Sequence, residues 1–391
     1  MSKRVGMEVS LVVAEAVKLA GAEVIAAYPI TPQTHIVEGL AEKVANGELD
    51  AEFICVESEH SAMSACLGSC ATGARTFTAT AGQGLELMHE VLYVASAMRL
   101  PIVMNVANRA LSGPLNVWGD HSDVMAARDV GWIQVFTENG QEVFDHTVCA
   151  FRIAEDHRVL LPIMVHLDGF HLSHMVEPIL IEDEEFVKKF IPPYTHPYAL
   201  NPLKPTTMGA FTPPGTYTEA KKGQVVAMEG TKKVILEVWK EYGELTGRHY
   251  KPVESYRTDD AEVLLFMMGS FAETATLAID KMRDEGKKVG LIRLRLWRPF
   301  PFEEVREAVK GAKAVVVFDR ALSIGGPGGP VCSEIRNAVY PLAKKPRILG
   351  FVGGLGGRDV FPEDFEYVLD QGAKALKKKP KAEFEMIGVR E

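Results

Sequence analysis

The sequence predicts an α/β protein made of two doubly wound parallel-sheet domains. Three observations carry this reading. Short apolar runs alternate with helix-length amphipathic segments from Glu23 to Leu167, the same alternation restarts at Glu262, and a proline-dense segment separates the two. A chain of 391 residues also exceeds what one hydrophobic core usually serves.

Residues 8 to 20 place apolar and small side chains at helical spacing, and Gly21 stops that helix. The first strand then runs from Glu23 to Ile30. Two prolines bracketing a threonine end it, which puts Thr31 on a loop at the strand's carboxyl end, where open parallel sheets bind ligands. A second strand, Ala51 to Val56, leads into Glu57-Ser58-Glu59-His60. The helix after it, Ser61 to Gly73, is made of unusually small residues and suits close packing against a neighbour or a partner subunit.

The third strand, Arg75 to Thr80, ends in Ala81-Gly82-Gln83-Gly84 before a helix reaching about Arg99. Two glycines there would let backbone amides approach an anion, but the third glycine of a dinucleotide fingerprint is missing, so the run is read as a tight strand-to-helix turn. Strand four, Pro101 to Ala107, leads to Arg109 and then to Asp120, His121, Asp123 and Arg128, with Trp118 and Trp132 at the margins. Together these residues describe the lip of a pocket. A helix from about Gln141 to Asp156 and a strand from Val159 to Leu167 continue the alternation.

The proline-dense segment Pro192 to Pro214 reads as an extended linker, followed by a long amphipathic helix from about Gln224 to Thr246. In the second unit the expected elements are a strand Glu262 to Met268, a helix Phe271 to Glu285, strands Lys288 to Leu294 and Ala314 to Phe318, a helix after the cluster Gly325 to Gly329, and a strand Arg347 to Val352. That cluster and the later Gly353-Gly354-Leu355-Gly356-Gly357 lack phosphate-loop spacing and are read as turns. The lysine-rich run Lys374 to Lys381 reads as a solvated helix end.

Composition excludes several classes. With 47% hydrophobic and 24% charged residues the chain is of ordinary globular type. A net charge of −9, a pI near 5.7 and no basic block outside the tail argue against a nucleic-acid surface. No apolar run reaches the roughly 18 residues of a membrane helix, and Met1-Ser2-Lys3-Arg4 leads into an amphipathic segment, so a cytoplasmic location is expected. Cys55, Cys66, Cys70, Cys149 and Cys332 contain no C-x-x-C pair. They suit reduced, mostly buried thiols, and any iron–sulfur cluster must lie on another chain.

The run Tyr28 to Pro32, the segment Val56-Glu57-Ser58-Glu59-His60-Ser61-Ala62, the segment Thr76 to Leu85 and the run Asn108 to Asp123 resemble the α subunit of thiamine-diphosphate-dependent 2-oxoacid:ferredoxin oxidoreductases, with the pyruvate enzymes the nearest. Tyr256 to Glu262 and Gly353 to Asp359 extend the resemblance over nearly the whole chain. It implies a thiamine pyrimidine-binding domain at 1–190, a linker and long helix at 191–258, and a transketolase C-terminal-like domain at 259–391.

The resemblance further implies a heteromeric enzyme in which this chain faces the aminopyrimidine of thiamine diphosphate, and a β subunit supplies the diphosphate and Mg2+ site. The chain agrees by lacking a Gly-Asp-Gly followed by paired asparagines. Subunits of γ and δ type, or their equivalents, would carry 4Fe-4S clusters. Ferredoxin or another acceptor would take the electrons and coenzyme A the acyl group.

By the same resemblance Glu59 is the carboxyl set against N1′ of the pyrimidine, with Glu57 the runner-up. Thr31 and Arg109 are the substrate-binding pair, and Pro29 and Arg109 line the cofactor. An arginine fork suits a carboxylate, although Arg109 beside Asp120 or Asp123 could equally form a plain ion pair. His171 and His174, three apart, and His121 between two aspartates lack full metal-site spacing, so no metal is assigned to this chain. His121 is read as ordering the Arg109 loop or touching a partner.

Gln33 in place of a more usual serine, and Gly113-Pro114-Leu115 in place of Ala-Pro-Ile, would reshape the pocket toward a branched or aromatic 2-oxoacid such as 2-oxoisovalerate, phenylglyoxylate or indolepyruvate. Thr31 argues against oxalate. Two readings of other classes stand beside this one: an NAD-dependent dehydrogenase, disfavoured by the missing fingerprint, and a non-catalytic scaffold subunit.

Overall fold

A computed structural model describes residues 2–378, 380 and 382–390. Seven strands form the first sheet, in the order Leu296–Arg298, Ile133–Phe136, Ile163–Asp168, Val103–Asn108, Thr76–Thr80, Val24–Ala27 and Glu52–Cys55. All are parallel except Leu296–Arg298, which arrives from the second half of the chain and pairs antiparallel with Ile133–Phe136. The helices Val9–Ala20, Gly140–Ala154 and Pro214–Thr246 bury one face of this sheet, and Glu59–Ala71 with Gly82–Ala97 bury the other. Burial on both faces is why these strands read as continuous apolar runs rather than alternating ones.

From Val24–Ala27 the chain steps outward to Glu52–Cys55 and then crosses back to Thr76–Thr80. Strand order reverses there, which opens a crevice at the carboxyl ends of the strands. The loops after Val24–Ala27 and Thr76–Thr80 line it, and these are the runs Tyr28–Pro32 and Ala81–Gly84.

The second sheet has the order Phe384–Met386, Arg347–Val352, Ala314–Asp319, Val263–Met267, Val289–Leu294 and Val253–Tyr256, parallel apart from the last strand. It too carries a core on each face. The architecture is the expected α/β pair of parallel sheets.

Several elements differ from expectation. The first strand ends at Ala27, not Ile30: Tyr28 to Ile30 leave the ladder and the chain turns at Thr31 to Gln33. The long helix begins at Pro214 rather than near Gln224. Proline at the first helical position sacrifices only an N–H that has no intrahelical partner, so the last proline of the linker starts the helix instead of ending the linker. An antiparallel pair, Lys3–Glu8 with Val176–Ile181, and the short strands Ile133–Phe136, Val253–Tyr256, Leu296–Arg298 and Phe384–Met386 were not foreseen. The last four are only three or four residues long, and in none does the sequence name its pairing partner.

Gly21 closes the first helix in the left-handed region, φ 68, and its N–H reaches the Lys18 and Val17 carbonyls. Among the described residues no helix is long and apolar enough to cross a membrane. Cys66, Cys70, Cys149 and Cys332 are buried and free, and Cys55 is exposed and free. Of the runs read from sequence, Met1, Lys379 and Lys381 lie outside the described residues; Lys374 sits in the last turn of the helix Pro362–Ala375.

Candidate active site at the carboxyl edge of the first sheet

The loop Tyr28–Pro32 is anchored from beneath. Gln33 is fully buried, donates through Nε2 to the Ala79 carbonyl at 2.6 Å, and accepts the Ile30 N–H on Oε1 at 3.2 Å. This amide ties the loop to the neighbouring strand, leaving Tyr28, Pro29 and Thr31 exposed above it. The expectation that Gln33 shapes the pocket directly is therefore corrected: it faces the strands and acts only through the loop's position. Of the other substitutions, Gly113, Pro114 and Leu115 sit on an exposed turn, with Leu115 77% exposed.

Arg109 follows the strand Val103–Asn108 and is 7% exposed. Its Nη1 donates to the Thr31 carbonyl and its Nε to the Asn116 carbonyl, both at 3.0 Å. The ion pair with Asp120 or Asp123 is not formed. Asp120 accepts from the Ser122 hydroxyl at 2.6 Å and from the Gly356 N–H at 3.0 Å. Asp123 accepts the backbone N–H of Arg109 at 2.9 Å rather than its side chain.

Asp123 holds two loops in register. It is fully buried and also accepts from Gly82 N–H at 3.0 Å, Asn108 Nδ2 at 3.0 Å and its neighbour Val124 N–H at 2.7 Å. Burial pushes its carboxyl up to about 7, while the donors from Arg109, Asn108 and Gly82 pull it down. Hydrogen bonds to a charged acceptor contribute about 1.5–3 kcal/mol each, so one side chain couples the turn after Thr76–Thr80 to the start of the Arg109 loop.

The third candidate, Glu59, opens the helix Glu59–Ala71, capped by the Ser58 hydroxyl accepting from Ser61 N–H at 3.2 Å. It is 6% exposed, and among the described residues no donor meets its carboxylate. It lies against Gly84, where a Cβ would come within 2.8 Å of Glu59 Oε1 and 2.5 Å of Thr80 Oγ1. Thr80 Oγ1 is itself buried without a partner. Two residues earlier, a Cβ on Gly82, φ 48, would come within 3.0 Å of the Arg109 side chain. The two glycines thus hold the carboxylate and the guanidinium beside one helix start. Burial lowers the Arg109 pKa, with Asp123 and Glu59 acting in the opposite direction, so Glu59 is close enough to be felt electrostatically. Glu57, the runner-up, is exposed and accepts from the Ser61 hydroxyl at 2.5 Å, outside this grouping.

The second sheet closes over the Arg109 loop. Asn116 Nδ2 donates to the Gly356 carbonyl at 3.1 Å, the Gly357 N–H to the Gly119 carbonyl at 2.9 Å, and Arg320 Nη2 to the same Gly119 carbonyl at 2.9 Å. A Cβ on Gly357, φ 78, would overlap Trp118. His121 also belongs here. Its Nε2 meets Asp168 Oδ1 at 2.8 Å, and Asp168 in turn pairs with Arg320 Nη1 at 2.5 Å and accepts from Ser270. His121 thus ties the loop to Asp168, which matches the expected loop-ordering role. The glycine cluster 353–357 ends in a single 3-10 turn, Leu355–Gly357, and the bare α-carbons of Gly356 and Gly357 are what let Asn116 and Trp118 dock.

Other expected members lie elsewhere. Trp132 is buried in the core, donating to the Leu92 carbonyl at 2.9 Å, and is not at a pocket margin. Arg128 pairs with Asp129 at 3.5 Å. His171 packs against Phe271 with ring centroids 5.0 Å apart, and His174 turns toward His35 at 4.7 Å, so these two do not share a ligand position.

A family described as pyruvate flavodoxin/ferredoxin oxidoreductase, thiamine diphosphate-binding, matches residues 15–240, and the pyruvate:ferredoxin oxidoreductase core domain II matches residues 261–365. The chain belongs to this oxidoreductase family. It is 51% identical over 365 residues to the pyruvate synthase subunit PorA of Methanocaldococcus jannaschii, covering 93% of each chain. It is 48% identical to PorA of Pyrococcus furiosus, over 95% of this chain and 94% of that one. It is also 44% identical to the ketoisovalerate oxidoreductase subunit VorA of Pyrococcus horikoshii, over 90% of each. Among solved structures, a 2-oxoglutarate:ferredoxin oxidoreductase from Magnetococcus marinus superposes with a TM-score of 0.72 at 20% identity, covering 96% of this chain and 65% of that one. A split-gene transketolase superposes at 0.54 and 10% identity, over 94% and 97%. Both likenesses show the fold.

The chain is thus an α-type subunit of a thiamine-diphosphate-dependent 2-oxoacid:ferredoxin oxidoreductase, as the resemblance implied, and not an NAD-dependent dehydrogenase. The residues present fit a pyrimidine ring edge: a buried carboxylate without a donor and a buried hydroxyl without a partner flank a glycine at the floor of the crevice. Sequence reasoning named Asp123 only as part of the pocket lip, read Gly82 and Gly84 only as a tight turn, and gave Thr80 no role in this arrangement. The Gly-x-Gly spacing was visible, but the side chains it makes room for come from other strands.

Proposed function

We propose that this chain holds the aminopyrimidine of thiamine diphosphate and the carboxylate of pyruvate for CoA-dependent oxidative decarboxylation. The observation that carries the reading is the Glu59 carboxylate, buried, free of any donor among the described residues, and sharing a glycine-lined helix start with Arg109. In this reading residues 1–190 form the pyrimidine-binding unit, 191–258 a linker and long helix, and 259–391 a transketolase C-terminal-like unit.

Glu59 would hold a proton at N1′ of the bound pyrimidine, as its buried carboxyl allows. Bound thiamine diphosphate supplies a carbon nucleophile and an electron sink for the departing carboxylate. Arg109 already spends Nε and Nη1 on the Asn116 and Thr31 carbonyls, so its fork is fixed and Nη2 is the nitrogen left for the substrate carboxylate. The Thr31 hydroxyl, exposed on its loop, donates to the same carboxylate or to the keto oxygen, and Pro29 forms the adjoining wall.

A β subunit supplies the diphosphate and Mg2+ site, and γ- and δ-type subunits or their equivalents carry 4Fe-4S clusters that deliver electrons to ferredoxin. Support for a partner comes from Tyr28 on the crevice loop and from Leu87 on the second turn of the helix that starts there, apolar side chains exposed by 37% and 50%. A cytoplasmic location accords with the free thiols.

A second reading, a branched-chain 2-oxoacid as substrate, is favoured by the similarity to VorA and by the Gly113-Pro114-Leu115 turn. Glu59→Gln in the assembled complex tests the main reading. Pyruvate turnover should fall about 10²- to 10⁴-fold with the complex intact; undiminished turnover removes Glu59 from the chemistry. Turnover with pyruvate, 2-oxoisovalerate, phenylglyoxylate and indolepyruvate in parallel decides the substrate.

A further inference from the structure

Away from these catalytic candidates, three potential metal ligands from three separate segments meet behind the Thr31 loop. Glu8 ends the strand Lys3–Glu8, His35 lies in the first turn of the helix Thr34–Ala45, and His174 follows the strand Ile163–Asp168. One carboxylate oxygen and one nitrogen from each imidazole lie within 4.8 Å of one another. Glu8 Oε1 and His35 Nδ1 are 2.6 Å apart, and the two imidazole rings lie 4.7 Å apart between centroids, tilted by 37°.

The framework holding them is rigid. The N–H groups of Val9 and Ser10 donate to the Met175 and Ser173 carbonyls at 3.0 and 2.9 Å, and the Ser10 hydroxyl adds a bond to Ser173 at 2.7 Å. Glu8 and His174 are therefore clamped by backbone bonds on their flanks. The Ser173 hydroxyl meets His174 Nδ1 at 2.8 Å and accepts the Phe170 N–H at 2.9 Å. A partner that fixes an imidazole's tautomer and ring plane is the usual outer support of a ligating histidine. The only ion pair of Glu8 among the described residues is with His35, so no lysine or arginine takes the cation's place.

We propose that Glu8, His35 and His174 bind one divalent transition-metal ion of the zinc class, which braces the segment carrying Thr31. Two imidazoles and one carboxylate are ligands of that class, with a fourth position open to water. Ligand atoms about 2.0–2.1 Å from zinc in a tetrahedron stand about 3.3 Å apart, so a small opening of the Glu8–His35 pair and a closing of His174 complete the site. The bracing follows from connectivity: His35 lies four residues after Thr31, and the His174 loop begins at Gly169, where a Cβ would come within 2.7 Å of Pro32.

The test does not depend on the catalytic reading. The purified complex, freed of zinc by chelation and resupplied with Mg2+, is equilibrated with ZnCl2, and bound zinc is counted by mass spectrometry. Wild type should hold one more zinc per α chain than His35→Ala or His174→Ala, and zinc should raise the thermal midpoint of wild type alone. Glu8→Gln, which keeps the side chain's size, should bind zinc at least 10-fold more weakly and serves if the histidine variants fail to assemble. Equal zinc content in wild type and variants, or equal affinity in wild type and Glu8→Gln, overturns the site.

Discussion

The α-carbon of Gly84 lies against the Glu59 carboxylate so closely that a Cβ there would stand 2.8 Å from Oε1. A helix start that brings only hydrogen to this point lets the carboxylate sink to the crevice floor beside Thr80. Gly84→Ala would push it off by a fraction of an ångström to about 1 Å, a displacement that can cost about 10²-fold in rate. We expect that loss in turnover with a melting temperature within a few degrees of wild type. Full activity in steady-state assays of Gly84→Ala would mean that the carboxylate's position is immaterial.

Arg109 is a fork with two of its three nitrogens fixed, Nη1 to Thr31 and Nε to Asn116, each at 3.0 Å. A lysine at this position is a single point donor and cannot bridge those two carbonyls while also meeting an anion. Arg109→Lys is expected to raise KM for the 2-oxoacid by at least about 10-fold, the size of one lost charge-assisted bond, with a smaller change in kcat. Michaelis kinetics across the substrate series check this.

Asp168 sits between His121, Arg320 and Ser270 at the junction of the two sheets. Burial alone would raise its pKa, but the Arg320 guanidinium, the His121 ring and the Ser270 bonds overcome that and hold the carboxyl well below its usual range. A depressed carboxylate contributes stability above the unfolded pKa near 3.9 and loses it as pH falls through and below that value. Asp168→Asn should therefore flatten the acid limb of the stability profile while costing about 3–5 kcal/mol at pH 7, because Arg320 is left buried without its partner. Denaturant unfolding between pH 3 and 8 measures both arms, and a parallel offset at every pH would refute the linkage.

Gly357 in its left-handed conformation takes the only shape that lets Trp118 pack over it. Gly357→Ala introduces both an overlap and an unfavourable φ, with an expected cost of about 1–3 kcal/mol. Since Trp118 and Asn116 belong to the loop that starts at Arg109, substrate affinity should fall along with thermal stability. An unchanged KM in the destabilised variant would separate this contact from the site.

Much of the fold was legible because helix and strand runs are local properties. Apolar periodicity and the Gly21 stop need only near neighbours. The strands that escaped notice, Lys3–Glu8, Ile133–Phe136 and Leu296–Arg298, are paired with segments far along the chain, and nothing within a short window announces them. The same divide runs through the site. Thr31, Arg109 and Glu59 could be placed from sequence just beyond strand ends, Thr31 and Arg109 on the loops that follow their strands and Glu59 at the start of a helix.

The amino-acid sequence by itself determined the α/β class and the family, since each is written in residue types and their order. Tertiary structure alone decided which group faces which. Arg109 beside Thr31, Asp123 on backbone N–H groups rather than on a guanidinium, Gln33 beneath the loop and Gly84 under Glu59 all arise from strands crossing at a reversal of sheet order. Contacts between segments tens to hundreds of residues apart depend on register and close packing, which no local pattern encodes.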